Sequence, residues 1–186
     1  MAKLCWSKAL EPVIQTLPGY LIRMRVEADD PALVKVENRA SELFRDHGFP
    51  DVADASIPDV AVLRAMMAGQ KVWVATDKAG YPAGFAVAGE IDGYLHLREL
   101  SVDPAHGRKG VGTALVETVL AEARAGNYAG TSLTTFRDLP FNAPFYARLG
   151  FAITPLDTAP AALKAQFLSE MPPGIDPGSR VLMLRH

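Results

Sequence analysis

The stretch from Tyr94 to Leu120 limits what this 186-residue chain can fold into more than any other. A strand-like segment ends at Asp103-Pro104, a basic turn with glycines follows over residues 106–112, and an amphipathic helix begins inside that turn. Another strand-like segment, Thr131–Phe136, comes after the helix. A strand, a turn, a helix and a returning strand form a crossover unit, which favours two parallel strands within a mixed sheet.

The turn between the strand and the helix has the composition of an anion-binding site. Gly107, Gly110 and Gly112 allow a ligand to approach the backbone closely. Arg108 and Lys109 add local positive charge. The first amides of a helix have no intrahelical partner and lie at the positive end of its dipole. The sequence therefore predicts that a phosphate-bearing ligand binds at this turn.

The strand before the turn has an irregular pattern of apolar residues. Leu95 and Leu97 have one parity, and a second pair, Leu100 and Val102, has the other. A regular strand would send the two pairs to opposite faces of the sheet. One extra residue near Arg98–Leu100, a β-bulge, would return both pairs to the core and would leave backbone groups free for a ligand. The alternative is a regular strand that is buried on both faces.

The rest of the chain adds strands and helices around this unit. The two-residue link Asp92-Gly93 predicts a hairpin, so Val72–Val102 is interpreted as an antiparallel meander. Asp29-Asp30-Pro31 predicts a helix start with an acidic cap. The other predicted elements are a strand over Tyr20–Val26, helices from that cap to about His47 and over Asp59–Ala68, a loop over Phe49–Pro58, a short helix capped by Asn142, a strand over Phe151–Ile153, a helix over Ala159–Leu168 and a buried strand over Val181–Leu184.

Composition argues against several classes of function. Apolar residues make up 49% of the chain and charged residues 22%, as in ordinary globular proteins. A net charge of −2 argues against binding to nucleic acid or to an anionic membrane surface, because either partner favours a basic surface. No apolar run approaches the roughly 20 residues of a membrane span. We therefore expect neither nucleic acid nor a membrane among the partners.

Cysteine and histidine content points to a reducing location and away from a metal site. Cys5 is the single cysteine, so no intrachain disulfide can form. The four histidines lack a ligand spacing such as HExxH, so no metal is expected. Residues 1–19 are a poor signal peptide, which favours the cytoplasm. We interpret them as an N-terminal extension, either with a short helix over Leu10–Leu17 or as a loosely held terminus, before a single domain over residues 20–186.

Three pieces of the sequence follow one another in a specific order. The first is the strand end Leu100-Ser101-Val102-Asp103-Pro104. The second is Gly110-x-Gly112 followed by Leu115, and the third is Tyr146-x-x-x-Gly150-Phe151. Each piece alone is weak evidence, but their order and separations are specific, and together they resemble the GNAT superfamily of N-acetyltransferases. The resemblance covers roughly Val72–Phe151, and it implies an α/β fold: a mostly antiparallel mixed sheet with one splayed parallel pair, flanked by helices.

By this resemblance the chain would take acetyl-CoA as its acyl donor, without a metal. The bulged strand would pair its backbone with the pantetheine arm, and the turn would hold the pyrophosphate through main-chain amides. Arg108 and Lys109 would assist, or would simply be solvated charges if the backbone suffices. The cofactor-binding residues implied in this way are Leu100, Ser101, Val102, Gly107, Arg108, Lys109, Gly110, Val111, Gly112, Thr113 and Asn142.

The sequence departs from the family pattern at two positions. The family usually has Gln or Arg three residues before the first glycine of its GxG, and here that residue is Gly107. Members often carry Asn about two helical turns before the tyrosine, whereas Asn142 lies only four residues before Tyr146. A helix-capping role for Asn142 is therefore an alternative to a cofactor contact.

The resemblance suggests one catalytic residue, Tyr146, and the place of Glu99 in the suspected bulge suggests another. Acetyl transfer to an amine requires a base for the amine and a proton donor for the thiolate. Tyr146 would be the donor, unless it is simply a core tyrosine. Glu99, inside the suspected bulge, would be the base, directly or through water; the alternatives are a salt bridge with a neighbouring arginine or simple exposure. His96 is a weaker candidate for the base.

Two other classes of function and the identity of the acceptor stay open. The chain could be an acyl-CoA sensor or partner-binding module without turnover. A nucleotide site is less favoured, since the turn lacks the P-loop pattern and Leu115 breaks GxGxxG. The acceptor could be a small amine, an amino acid, an antibiotic or a peptide amine, with specificity expected from the Phe49–Pro58 loop and the two early helices. The sequence also leaves open a homodimer.

Overall fold

The computed structural model describes residues 16–55 and 57–186, and within them eight strands form one sheet in the order β1-β2-β3-β4-β5-β6-β8-β7. The strands are β1 (Thr16–Leu17), β2 (Tyr20–Met24), β3 (Lys71–Asp77), β4 (Pro82–Ile91), β5 (Tyr94–Val102), β6 (Gly130–Phe136), β7 (Ala152–Thr154) and β8 (Arg180–Arg185). The helices are α1 (Asp30–Arg45), α2 (Pro50–Asp54), α3 (Val60–Met67), α4 (Val111–Ala125), α5 (Ala143–Arg148) and α6 (Ala161–Ser169). Short 3-10 turns cover Glu27–Asp29, Pro104–His106 and Pro177–Ser179.

The sheet is mixed, with its parallel pair formed by β5 and β6, as the crossover unit predicts. These two strands pair from Tyr94 with Gly130 to Leu97 with Leu133. Both strands continue beyond that point, but within the described residues they pair with each other no further. The other strand pairs are antiparallel. This confirms the predicted α/β fold class, a mostly antiparallel sheet whose parallel pair splays apart.

The predicted β-bulge lies at the point where the parallel pair separates. Ala88 of β4 pairs with Leu97, and the preceding residue Val87 pairs with Glu99, so Arg98 is the extra residue. The bulge shifts the parity of the strand after Arg98. Both pairs of apolar side chains therefore reach one core cluster: Leu95, Leu97, Leu100 and Val102.

Each face of the sheet is covered by helices. Helix α4 packs on one face through Leu115 and Val119, which join a cluster around Trp73 of β3. Helices α1 and α3 pack on the other face through Leu33 and Leu63. Strand β4 contributes to both clusters, because alternate residues of a strand point to opposite faces. The gap between β5 and β6 consequently lies between the layer formed by α4 on one face and the layer formed by α1 and α3 on the other.

Local turn chemistry explains the meander before the bulge. Asp92 and Gly93 both adopt positive φ, at 49° and 79°. This is the backbone of the tight hairpin turn that an Asp-Gly link favours, and it confirms the hairpin prediction. Gly110 at the start of α4 is also left-handed, with φ of 83°.

Three predictions about the first half of the chain need correction. The Phe49–Pro58 segment is not a simple loop, because it contains the one-turn helix α2, which starts with Pro50 in a favourable first position. The acidic cap of α1 is also wrong: Asp29 occupies the cap position without a side-chain capping bond. Its carboxylate instead pairs with Arg23 of β2. Of the helix expected over Leu10–Leu17, residues 10–15 lie outside the described part, and Thr16–Leu17 form β1.

A buried carboxylate ties the first helices to the sheet. Asp30 is fully buried and pairs with Arg25 at 2.5 Å and with Arg64 of α3 at 2.6 Å. Strand β2, helix α1 and helix α3 are thereby held together by one charge cluster. Among the described helices, none is long and apolar enough to cross a membrane.

Candidate active site

A cleft of about 1270 Å³ crosses the sheet where β5 and β6 part. On one face it is bordered by the glycine turn, the start of α4 and helix α5. On the other face it is bordered by α1, α2 and the segment before β8. The cleft therefore has two ends, one beside the predicted phosphate site and one beside the first helices.

The glycine turn is built to leave amides free at the first end. Arg108 and Gly110 are both left-handed, with φ of 56° and 83°. The first intrahelical bond of α4 runs from the Ala114 amide to the Gly110 carbonyl at 2.9 Å, so the three preceding amides have no partner inside the helix. The predicted turn residues that line the cleft are Gly107, Arg108, Gly110, Val111, Gly112 and Thr113.

Neighbouring side chains hold the turn in place. The Asp103 carboxylate accepts from the Ala105 amide at 2.9 Å and caps the 3-10 turn that leads into the glycines. His106 Nδ1 and the Tyr20 hydroxyl form a hydrogen bond of 2.9 Å, which joins the turn to β2. Leu17 of β1 lies against Gly110. These contacts hold the turn against β1 and β2.

The two predicted cations of the turn differ in their surroundings. Arg108 is exposed and lines the cleft. Lys109 does not line the cleft, and its ammonium donates to the Ala105 carbonyl at 2.9 Å. Of the two, Arg108 is the one positioned beside the free amides.

Strand β5 presents an unpaired edge to the cleft. Leu100, Ser101 and Val102 pair with β4 on one side. On the other side, β6 has moved away after Leu97. All three residues line the cleft, so the backbone predicted to bind the pantetheine arm faces open space.

Glu99 lies at the middle of the cleft, next to the bulge. It is partly buried, and its carboxylate accepts from the Ser101 hydroxyl at 2.8 Å. Burial raises the pKa of Glu99 to about 7; the Ser101 hydrogen bond opposes this rise, and the charges of Glu37 and Glu170 add to it. Glu99 forms no ion pair within residues 16–55 and 57–186, where Arg98 instead donates to Gln70 at 3.1 Å.

Tyr146 also lines the cleft and is buried on α5. Its ring makes edge contacts with Phe145 and Phe151, at centroid distances of 5.0 and 5.9 Å. Its hydroxyl has no hydrogen-bond partner among the described residues. Burial raises the pKa of Tyr146, and the negative charge of Glu99 raises it further. The two predicted catalytic residues are thus brought together and influence each other electrostatically.

Asn142 adopts the cap position of α5 through its backbone alone. Its carbonyl accepts from the amides of Phe145 and Tyr146, at 2.8 and 3.1 Å. The predicted side-chain cap is wrong, because the amide group donates to Thr135 of β6 at 2.6 Å. Asn142 lines the cleft, and its buried Oδ1 has no partner in the described part of the chain. It therefore offers an acceptor atom to a ligand.

His96, the weaker candidate for the base, is not part of the cleft lining. It is fully buried, with Nδ1 hydrogen-bonded to the Ser132 hydroxyl at 2.8 Å and Nε2 paired with Glu170 at 3.2 Å. These contacts join β5, β6 and the end of α6 behind the cleft.

The second end of the cleft has a wall that the sequence analysis missed. Phe44 of α1 contacts Phe136 of β6 and Phe141, with ring centroids 5.5 and 5.3 Å apart. The Arg180 guanidinium of β8 lies over the Phe136 ring, 5.0 Å from its centroid. These residues are more than 30 positions apart in sequence or lie in different elements, so no local motif could have indicated them. In the described part of the chain, no group of three acidic, His or Cys side chains is arranged to hold a metal.

Comparisons with known proteins agree with this architecture. A family model described as an acetyltransferase (GNAT) domain matches residues 68–153. A GNAT-family acetyltransferase from Staphylococcus aureus aligns with a TM-score of 0.63 at 15% identity, covering 89% of this chain and 98% of that one. The PaiA N-acetyltransferase from Thermoplasma acidophilum, solved with coenzyme A, aligns with a TM-score of 0.61 at 16% identity, covering 89% and 98%.

A third structure is nearer in sequence. A GNAT-family acetyltransferase from Brucella melitensis, solved with acetyl-CoA, aligns with a TM-score of 0.54 at 26% identity, covering 72% of this chain and 82% of that one. The matched family model spans the meander, the bulge, the glycine turn and the tyrosine helix. From the matched domain and the shared fold, we conclude that residues 68–153 of the chain form an acetyltransferase domain of the GNAT superfamily.

Proposed function

We propose that this enzyme is an N-acetyltransferase that moves the acetyl group of acetyl-CoA to a primary amine, by direct attack while both substrates are bound. The observation that carries this proposal is the meeting of Glu99 and Tyr146 in one cleft at the splayed strands. A carboxylate with a pKa of about 7 and an unengaged phenol are what transfer to an amine requires at neutral pH. We also propose that residues 20–186 form the catalytic domain and that it works in the cytoplasm.

On the donor side, backbone groups would supply most of the contacts to acetyl-CoA. The free edge of β5 over Leu100–Val102 would bind the pantetheine arm. The amides of Val111, Gly112 and Thr113 would bind the pyrophosphate, because they lie at the positive end of α4. Arg108 would add charge there, and Asn142 would offer its free Oδ1 to a donor N–H of the arm.

On the acceptor side, the amine must lose a proton before it attacks. Glu99, with a pKa of about 7, is half ionised at neutral pH and can take that proton directly or through one water molecule. The amine nitrogen then forms a bond with the thioester carbon, and the carbon–sulfur bond breaks. Negative charge that develops on the carbonyl oxygen would be met by a backbone amide in the Leu100–Val102 segment.

The leaving thiolate needs a proton, which Tyr146 would supply. Its raised pKa keeps the phenol protonated at neutral pH. The negative charge of Glu99 causes part of that rise in the pKa of Tyr146. This part disappears once Glu99 has accepted the proton of the amine, whereas the part due to burial stays. The base step therefore makes Tyr146 a better acid for the following step, and the tyrosinate then regains a proton from Glu99 or solvent.

A thiol-release assay with acetyl-CoA and a diverse panel of amines tests the proposed function. We expect amine-dependent release of CoA thiol, together with an acetylated amine that mass spectrometry identifies. The panel includes small amines, amino acids, aminoglycoside-type antibiotics and peptides with free N-termini or lysines. Binding of acetyl-CoA without release in the presence of any amine would instead favour a non-catalytic sensor.

A further inference from the structure

Arg180, at the start of β8, is a cation whose hydrogen bonds are largely unused. It is partly buried and lines the cleft at the end away from the glycine turn. Its Nη2 donates to the Thr134 hydroxyl at 2.9 Å. Its buried Nε has no partner within residues 16–55 and 57–186. A guanidinium has five N–H donors, so most of this group is available to a ligand.

The nearest carboxylate does not neutralise Arg180 directly. Glu170 forms no ion pair with Arg180 in the described part of the chain, and its oxygens are already bonded to three other groups. His96 lies at 3.2 Å, the Thr134 hydroxyl donates at 2.5 Å, and Gln166 donates at 2.7 Å. Within the described residues, Arg180 thus reaches Glu170 through the Thr134 hydroxyl and through space; burial lowers the pKa of the guanidinium, and the charge of Glu170 opposes this only in part. An incompletely paired, desolvated cation beside a cleft is a typical binding site for an anionic group.

The surroundings of Arg180 indicate what that anionic group is attached to. Phe136 lies under the guanidinium, and Phe44 and Phe141 continue the apolar wall towards α1. Glu99 borders the same cleft and lies on β5, whereas Phe136 lies on β6, the other strand of the splayed pair. A ligand that filled this part of the cleft would therefore contact the carboxylate of Glu99, the phenylalanine rings and the guanidinium of Arg180.

We propose that the acceptor amine carries a carboxylate, bound by Arg180, next to an apolar or aromatic body that packs on the phenylalanine wall. The assignment of the amine end rests on the proposed function of Glu99. A carboxylate is favoured over a phosphate for two reasons. The planar guanidinium matches a carboxylate in two-point contacts, and Glu37, Glu99 and Glu170 make the region unfavourable for a doubly charged anion.

The test uses two pairs of amines in which a carboxylate is replaced by the nearly isosteric carboxamide. One pair is L-phenylalanine and L-phenylalaninamide, where the charge is adjacent to the amine. The other is 4-(2-aminoethyl)benzoate and 4-(2-aminoethyl)benzamide, where a ring separates them. For each pair, the measured quantity is kcat/KM for the acid divided by kcat/KM for the amide. In at least one pair, we expect this ratio to be at least about tenfold higher in the wild-type enzyme than in Arg180→Gln. Comparing the two ratios cancels intrinsic differences in amine reactivity.

Variants separate a ligand contact from a structural role. Arg180→Gln should raise KM for the preferred acid about tenfold or more while KM for acetyl-CoA and for the amide stays within about twofold. Arg180→Lys keeps the positive charge but lacks the planar pair of N–H donors, so it should recover part of the preference for the acid over the amide. Arg124→Gln, on the exposed end of α4 and outside the cleft, is the matched control and should behave as wild type.

A binding experiment keeps the inference testable if no amine is acetylated. The same four compounds are titrated by calorimetry into wild-type protein saturated with CoA, which has no acetyl group to transfer. Tighter binding of an acid than of its amide, lost in Arg180→Gln, would support the carboxylate site even if the proposed amine chemistry failed. Equal binding of acid and amide in both pairs, or an equal loss for both in Arg180→Gln, would overturn it.

Discussion

Glu99 shows how the position of a single residue changes its pKa. Beyond the bulge it enters a partly buried site with Ser101 as its hydrogen-bond donor and other carboxylates nearby. For the wild type we expect kcat/KM to rise with pH through about 7 and then to level off, because the base must be ionised. Glu99→Gln should lower kcat/KM at pH 7 by roughly a hundredfold and approach wild type at alkaline pH, where the amine deprotonates unaided.

The pH profile of Ser101→Ala is the matched control for Glu99. The Ser101 hydrogen bond stabilises the ionised carboxylate, so its loss should move the inflection of kcat/KM to higher pH. A Glu99→Gln profile parallel to the wild type at every pH would contradict the role as base.

The ionised form of Glu99, which should raise kcat/KM, should lower the stability of the folded state. Because its folded pKa is raised, the folded state binds a proton more tightly than the unfolded chain, and stability falls as pH rises from about 4.5 to about 7. Gln removes this loss, so Glu99→Gln should have a higher Tm than wild type at pH 8. At pH 4 the two Tm values should converge.

Tyr146 is a second residue whose role can be tested by removing one atom. Tyr146→Phe should lower kcat at least about tenfold, a barrier increase of about 1.4 kcal/mol, while calorimetry shows unchanged affinity for acetyl-CoA. Its Tm should change little, since the hydroxyl has no hydrogen bond to lose among the described residues. Tyr81→Phe, on an exposed turn, is the control and should retain full turnover. Wild-type kcat in Tyr146→Phe would remove the tyrosine from the mechanism.

Among the connections between secondary-structure elements, the turn between β5 and α4 contains two left-handed residues, Arg108 and Gly110. Gly110 has φ of 83°, and a Cβ there would make only ordinary contact with Leu17, 3.5 Å away. Gly110→Ala is therefore strained by its backbone rather than by crowding, at about 1–2 kcal/mol. If the turn relaxes to relieve this strain, its amides move, and we expect KM for acetyl-CoA to rise about tenfold.

Gly80 offers a control with the same backbone and no link to the site. It has φ of 85° on the β3–β4 turn, and a Cβ at this position would have no neighbouring atom within 4 Å. Gly80→Ala should reduce Tm by an amount similar to Gly110→Ala but should leave KM for acetyl-CoA unchanged. If the two variants had equal KM values, the geometry of the glycine turn would not control donor binding.

In the molecule as a whole, the cluster around Asp30 holds helices α1 and α3 to the sheet. Burial alone would raise the pKa of Asp30, but its hydrogen bonds with Arg25 and Arg64 outweigh this and lower it. Asp30→Asn removes the charge that both arginines share, and chemical denaturation should show a loss of about 3 kcal/mol in the free energy of unfolding. Asp157→Asn, at an exposed position, should change it by less than about 0.5 kcal/mol.

The pH dependence of stability provides a further check on Asp30. Because its pKa is lowered in the fold, its contribution is present above the ordinary carboxyl pKa and is lost as pH falls through the folded value. The difference between wild type and Asp30→Asn should therefore shrink in acid. A difference that stays constant down to pH 2 would show that the ion pairs contribute little.

Short-range patterns in the chain are sufficient to predict the hairpin, the bulge and the glycine turn. Asp92-Gly93 specifies its hairpin through local backbone preferences, and the parity change between Leu97 and Leu100 indicates the bulge. The glycines after Asp103 indicate the turn before α4 for the same reason. All of these features depend on residues close together in the chain, so periodicity and turn chemistry encode them.

The rest of the cleft, in contrast, takes its properties from packing between distant segments. The Asn142 side chain bonds Thr135 instead of capping its helix, because the two elements pack together. The pKa of Glu99 depends on its burial and on the charges of Glu37 and Glu170, and Arg180 meets Phe136 because β8 pairs with β6. Hydrogen-bond partners and desolvation arise from contacts that form only in the folded chain, and no local pattern encodes them. The amino-acid sequence thus determines the bulge and the glycine turn through short motifs, whereas the packed fold decides the charge and the shape of the remaining cleft.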